Sequence, residues 1–146
     1  MGNKALAFFK ANIGKESTSS PSPVGRWLKG KLVEVNENSL VFSFVIREEM
    51  CNPMGILHGG MIATMLDDVM GATTFAQGEP EFFTSINLNL DFLKSAKKGE
   101  EVQAKAEVIR KGRAVMYLQA TLTNSNGDLL ARATSNLIGT KIKSGF

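Results

Sequence analysis

The only histidine of the chain, His58, is followed by two glycines and a long apolar segment. That segment is apolar nearly all round and free of proline, which predicts a buried helix beginning at Gly59. Glycines at a helix start leave backbone N–H groups uncovered, and these groups together with the helix dipole bind anions. Acyl transfer develops such an anion at the attacked carbonyl oxygen. A lone histidine is more often structural, but this context favours a carbonyl site at His58 and Gly59. Gly60 and Met61 follow directly and are candidate substrate contacts.

Two adjacent acidic residues, Asp67 and Asp68, lie in the middle of the same apolar segment. A carboxylate on a buried helix face costs free energy unless it is paired or used. The residues one turn from Asp67 are small or apolar and leave room for a ligand: Ala63, Thr64, Met70 and Gly71. We predict that at least one of the two aspartates is functional. The alternative is that one faces solvent and the other hydrogen-bonds Thr64, and the residues alone do not choose between the aspartates.

The spacing between the two candidate groups constrains how they can act together. Gly59 and Asp67 are eight residues apart, which corresponds to about 12 Å of rise on one helix. One reacting carbonyl cannot touch both residues of the same helix. If both serve one substrate, the aspartate must come from a second chain related by a two-fold axis, and the site lies between subunits.

The segments around this helix must position it, and most of them alternate like strands. Residues 1–13 carry a short amphipathic helix that packs on the domain or covers a pocket, and residues 14–24 form a loop. Strands are predicted at 25–35, 39–48, 83–93, 101–110, 114–123 and 129–140. Hairpin spacing favours an antiparallel sheet, and a curved sheet can wrap the one buried helix. An edge strand would need protection, and pairing with a second copy of the chain is one solution.

Length and composition limit the class of protein. The 146 residues are 43% apolar and are predicted to form one domain, residues 1–146, with an ordinary core. The single cysteine, Cys51, cannot form an intramolecular disulfide, and no CxxC pair suggests a metal site. No apolar stretch reaches the roughly 18 residues of a membrane span. We therefore expect a cytoplasmic protein that does not associate with membranes.

The charge pattern does not favour nucleic-acid binding. The formal net charge is only +3, and the basic segment 94–98 is followed directly by Glu100 and Glu101. Nucleic-acid binding requires clustered basic residues, often with aromatic stacking partners. Solubility explains the mild positive charge, which can also attract a small ligand that carries phosphate.

The run 52–67, Asn-Pro-Met-Gly-Ile-Leu-His-Gly-Gly-Met-Ile-Ala-Thr-Met-Leu-Asp, resembles the signature of hotdog-fold acyl-CoA thioesterases. The resemblance is to the phenylacetate-degradation type, which includes the acyl-CoA thioesterase 13-like enzymes, and it extends over about residues 25 to 140. It implies an α+β fold in which an antiparallel curved β-sheet wraps around a central α-helix. It also implies homodimers, often paired into a dimer of dimers.

The resemblance assigns roles by position. Asp67 would act as nucleophile or general base, and Ser85 would assist this aspartate or its water. Asn52, His58 and the backbone N–H of Gly59 would hold the thioester carbonyl. The implied reaction converts an acyl- or aryl-CoA thioester to the free acid and coenzyme A. Coenzyme A is part of the substrate, so neither a separate cofactor nor a metal is expected.

Several alternatives remain at this point. Arg110, Lys111 and Arg113 are candidates for the phosphates of coenzyme A on charge alone, although a solvated turn explains them better. Cys51 and His58 would suit a thiol nucleophile, but no orienting partner is evident. A non-catalytic acyl-thioester binding protein on the same fold is the main alternative function. The apolar candidates suit aryl and aliphatic acyl groups alike: Met54, Met61, Met65, Met70 and Phe75.

Overall fold

The structure, a computed structural model, describes residues 2–145 and contains three α-helices and seven strands in that range. The helices are α1 (Lys4–Ala11), α2 (Pro23–Leu28) and α3 (Gly59–Phe75). The strands are β1 (Lys31–Asn36), β2 (Ser39–Val45), β3 (Glu81–Ser85), β4 (Asn89–Phe92), β5 (Glu101–Lys111), β6 (Val115–Asn124) and β7 (Leu129–Lys143). The predicted N-terminal helix and the long helix from Gly59 are confirmed.

All seven strands belong to one antiparallel sheet in the order β1-β2-β5-β6-β7-β3, with β4 also paired to β7. The sheet curves around α3, which packs against β2, β3, β5 and β6. The predicted fold, an antiparallel sheet wrapped around a central helix, is therefore confirmed.

The core forms where α3 meets the concave face of the sheet. Met65, Leu66 and Met70 of α3 are completely buried. On β5, Val102, Ala104 and Ala106 are buried and alternate with exposed polar residues, as the sequence pattern predicted. Small alanines on the sheet let the helix approach closely, so α3 is held in a fixed position by packing.

The predicted strand over 25–35 is wrong in its first half. Residues Pro23–Leu28 form the short helix α2, and strand β1 starts only at Lys31. Ser22 caps this helix by accepting a hydrogen bond from the Gly25 N–H at 3.0 Å, and Pro23 occupies the first turn. Serine at the N-cap followed by proline is a helix-start signal that the strand prediction did not take into account.

The predicted single strand over 83–93 is divided into β3 and β4. The division lies at Ile86, Asn87 and Leu88. There, hydrogen bonds to the carbonyl and side-chain oxygens of Asn87 replace the regular backbone pairing with β7. The Asn87 carbonyl accepts from the Ser135 hydroxyl at 2.7 Å, and its side-chain oxygen accepts from the Asn136 N–H at 2.9 Å. Ile86 and Phe92 beside this division are 59% and 58% exposed in the single chain.

Within residues 2–145, no helix has both the length and the apolar character needed to cross a bilayer.

Candidate functional site

Asp67 lies on the exposed side of α3, and Ser85 lies at the end of β3 beside it. The Ser85 hydroxyl donates a hydrogen bond of 2.8 Å to Asp67 Oδ1. A hydroxyl donor fixes one carboxylate oxygen and leaves Oδ2 free to accept a proton or to attack. The structure thus brings together two predicted residues that are 18 positions apart in the sequence.

Asp68 lines the same cavity as Asp67 but is partly buried and hydrogen-bonds the N-terminal segment. Its Oδ1 accepts a 2.8 Å hydrogen bond from the Ser22 hydroxyl, which also caps α2. Burial raises the pKa of the Asp68 carboxyl, the Ser22 hydrogen bond partly offsets this, and the neighbouring Asp67 carboxylate adds to the rise. Thr64 instead donates to the Gly60 carbonyl at 2.8 Å, so the predicted alternative with a Thr64–aspartate bond is not what the structure contains.

Ser22 is the residue near the site that the sequence did not reveal. A Cβ on Gly25 would lie 2.9 Å from Asp68 Oδ2, so glycine is needed there for α2 to approach the carboxyl. The Ser-Pro pair at 22–23 was the available signal, since it marks a helix start whose capping serine has a hydroxyl to share.

His58 is the N-cap residue of α3. Its Nδ1 accepts a 2.8 Å hydrogen bond from the Gly60 N–H, which places the proton of the neutral ring on Nε2. A Cβ on Gly60 would lie 3.0 Å from His58 Nδ1, so glycine lets the ring rest on the helix start. The Gly59 N–H has no acceptor within residues 2–145. The start of α3 therefore offers two donors, His58 Nε2–H and Gly59 N–H, to an oxyanion.

Asn52 organises the loop before His58. Its side-chain oxygen accepts hydrogen bonds from the Met54 N–H at 3.0 Å and the Ile56 N–H at 3.4 Å. The amide NH₂ of Asn52 is left as a donor in the part of the chain that the structure describes. The loop is closed further by a 2.9 Å bond from the His58 N–H to the Met50 carbonyl. These contacts hold Asn52 and His58 on one rigid loop.

A cavity of about 370 Å³ opens beside Asp67 and Ser85. Its walls come from α1, the loop at 15–22, the C-terminal half of α3, and β3. Its apolar lining includes Phe9, Phe75 and Phe82, and its polar lining includes Asp68 and Ser22. The predicted pocket-covering role of the first helix fits this position. Carboxylates and aromatic side chains in the walls of one cavity suit a ligand with a reactive polar end and an apolar remainder.

The oxyanion donors do not line this cavity. Gly59 and Asp67 lie on one continuous helix, so eight residues separate them by about 12 Å, as predicted from the spacing. Strands β3 and β4 form one edge of the sheet. Ser85 lies at the end of β3, and Phe92 of β4 covers the start of α3: its ring atom Cζ would be 3.1 Å from a Cβ on Gly59. The single chain therefore separates the acid from the oxyanion donors.

The remaining predicted contacts lie elsewhere. Met61 packs partly buried against the core at the first turn of α3. Arg110 and Lys111 end β5, Arg113 is exposed in the following turn, and Lys111 pairs with Glu79 at 2.6 Å. Glu79 follows the end of α3, so within one chain this basic group is a helix length from His58. Of the apolar candidates, Met65 and Met70 are fully buried in the core, Met54 is 76% exposed, and Phe75 lines the cavity.

Cys51 lies outside any catalytic pair. Its thiol donates a weak 3.5 Å hydrogen bond to the Arg47 carbonyl, while the His58 ring is bonded to Gly60. A thiol nucleophile needs a base in contact with it. The geometry gives the Cys51–His58 alternative no support.

A family model described as the thioesterase superfamily matches residues 54–131, more than half of the chain. The chain belongs to the thioesterase superfamily. This confirms the family predicted from residues 52–67, and the protein is a thioester hydrolase.

Individual relatives support the same membership. Acyl-coenzyme A thioesterase 13 of Mus musculus is 30% identical over 107 residues, which are 71% of this chain and 75% of that protein. The solved structure of a phenylacetic acid degradation-related protein of Ralstonia eutropha is 32% identical, with a TM-score of 0.76, and the match covers 84% of this chain and 94% of that one. The E. coli PaaI protein, at 14% identity, has a TM-score of 0.83 over 97% of both chains and supports the fold alone.

Proposed function

We propose that this thioester hydrolase cleaves an acyl- or aryl-CoA thioester to the free acid and coenzyme A. The observation that carries the proposal is Asp67, an exposed carboxylate that is held by Ser85 and lines a cavity with aromatic walls. The substrate class is suggested by the acyl-coenzyme A relatives. The reaction consumes one water and requires no cofactor besides the coenzyme A of the substrate, and we place it in the cytoplasm.

Asp67 acts in this proposal as nucleophile or general base. As a base, it takes a proton from water while the resulting hydroxide attacks the thioester carbonyl. As a nucleophile, it forms an acyl-aspartate anhydride that water then hydrolyses. In both routes the carbon–sulfur bond breaks, and coenzyme A leaves as the thiol after gaining a proton. The Ser85 hydroxyl orients one carboxylate oxygen so that the other points to the reacting atoms.

The start of α3 stabilises the negative oxygen of the intermediate. His58 Nε2–H and the Gly59 N–H are the two donors, and the NH₂ group of Asn52 supports the same carbonyl. These groups act at the positive end of the α3 dipole, where an anion is favoured. The neutral His58 tautomer fixed by Gly60 is the one that can donate.

We further propose that the acid and the oxyanion donors meet across a two-fold axis in a homodimer. The sheet edge formed by β3 and β4 contacts Asp67 through Ser85 at one end and approaches Gly59 through Phe92 at the other. Antiparallel pairing of this edge with a second copy, centred near Leu88, would bring the Ser85 end against the partner's Phe92 end. Asp67 of one chain then faces the His58 loop of the other, and a dimer of dimers would contain four such sites.

Release of free thiol from a panel of acyl- and aryl-CoAs, followed with a thiol reagent, tests the activity. We expect turnover in proportion to enzyme concentration, and loss of turnover in Asp67→Asn. Tight binding of acyl-CoA without turnover across the panel would contradict the catalytic proposal and favour a non-catalytic acyl-thioester binding protein.

A further inference from the structure

Gly71 occupies an unusual position in α3. It lies inside a 17-residue helix, and glycine at such a position makes a helix less stable than alanine does. A Cβ on Gly71 would meet no atom within 4 Å. Packing therefore does not require glycine at this position, unlike Gly60 or Gly25. Gly71 is also part of the cavity wall.

Asp67, Gly71 and Phe75 follow one another at intervals of four residues, so they share one face of α3. All three line the cavity, and Asp67 is the most exposed of them. From Asp67 to Phe75 the helix rises about 12 Å, which accommodates an extended acyl chain of roughly eight to ten carbons. Gly71 lies halfway along this path, where a side chain would reduce the free width.

Aromatic side chains cluster at the Phe75 end of the path. Phe75 contacts Phe9 of α1 edge to face, with ring centroids 6.1 Å apart, and stacks on Phe82 at 5.5 Å. Phe9 is 9% exposed and belongs to the core, so α1 supplies a fixed end wall. Such a wall limits the length of an apolar group that enters beside Asp67.

We propose that the acyl group of the substrate lies along α3 between Asp67 and Phe75, and that Gly71 determines its size by leaving the middle of this path open. The inference rests on the proposed function for the orientation of the thioester at Asp67. It adds a substrate class, apolar acyl groups about as long as the path, and a residue that selects it.

Binding of alkyl-CoA thioethers tests this inference independently of catalysis, because a thioether cannot be hydrolysed. We would measure methyl-, octyl- and hexadecyl-CoA by calorimetry on wild-type protein, Gly71→Ala and Gly71→Leu. Wild type should bind octyl-CoA more tightly than methyl-CoA. Gly71→Leu should weaken octyl-CoA binding at least ~10-fold, since excluding even two methylenes from an apolar site has that effect. Binding of methyl-CoA should stay unchanged, and Gly71→Ala should show a smaller loss for octyl-CoA.

Melting temperature and oligomeric state provide the folding control. Alanine favours the helix and has free space here, so Gly71→Ala should melt at or above the wild-type temperature. Phe9→Leu shortens the end wall and should improve hexadecyl-CoA binding relative to octyl-CoA. Equal octyl-CoA binding by folded wild type and Gly71→Leu would overturn the inference, as would a wild type that does not prefer octyl-CoA to methyl-CoA. Gly71-dependent binding without any turnover would support it and remove only the catalytic proposal.

Discussion

At the scale of single residues, the two adjacent aspartates have different surroundings and should differ in function. Asp67→Asn keeps the Ser85 hydrogen bond, because an amide oxygen also accepts, but removes the charge needed for attack or base catalysis. We expect the thioesterase rate to fall by at least ~10²-fold. Asp68→Asn, the matched control, should cost far less. The reverse order of the two effects in steady-state kinetics would assign the acid to Asp68.

His58 combines two functions that substitutions can separate. His58→Ala loses both the oxyanion donor and the cap on the Gly60 N–H. His58→Asn loses the Nε2–H donor but supplies an oxygen that caps well. Both variants should turn over roughly 10- to 1000-fold more slowly, as expected for one oriented donor, and only His58→Ala should also melt at a lower temperature. Unchanged kinetics in both would make His58 a structural cap alone.

The buried carboxyl of Asp68 should make stability depend on pH. Burial raises its folded-state pKa above the unfolded value, so the folded state holds the proton more tightly. This contribution is fully present below the unfolded pKa and is lost as pH rises through the folded pKa. Asp68→Asn cannot ionise and still accepts from Ser22. We expect this variant to melt higher than wild type at neutral pH and to show a smaller decline between acidic and neutral pH in thermal scans.

At the scale of elements, the β3–β4 edge of the sheet exposes two large apolar side chains, Ile86 and Phe92. Ile86 is 59% exposed there, in a segment where an unpaired strand edge invites a partner. Ile86→Lys should convert dimers to monomers in analytical ultracentrifugation, because a charge is costly to bury. Val45→Lys, at a 56% exposed position on β2, serves as the control and should leave the dimer intact. A stable Ile86→Lys dimer would place the interface on another surface.

At the scale of the whole molecule, the 12 Å separation along α3 predicts that two inactive proteins can restore one another. His58→Ala and Asp67→Asn are unfolded together and refolded as an equal mixture. About half the dimers are mixed, and each contains one site with both defects and one with neither, so roughly a quarter of wild-type activity should return. Mixed dimers confirmed by mass spectrometry but without activity would place all groups of a site in one chain.

The sequence by itself determined the features that depend on local pattern. The glycines after His58, the apolar segment and the spacing to Asp67 predicted α3, its donor-rich start and its mid-helix acid. Alternation predicted β5 and β6, because side chains on a strand alternate between faces whatever the distant contacts are. The strand prediction failed at Pro23–Leu28, where Ser22 caps a short helix.

Only the tertiary structure decided which residues meet. Ser85 reaches Asp67 across 18 positions, and Ser22 reaches Asp68 across 46. Neither contact has a sequence period, because each depends on how β3 and α2 dock on α3. The same docking distinguished the two aspartates, which are identical in chemistry and adjacent in sequence but accept hydrogen bonds from different elements. It also left Gly71 over open space, a property of the cavity that no spacing in the chain encodes.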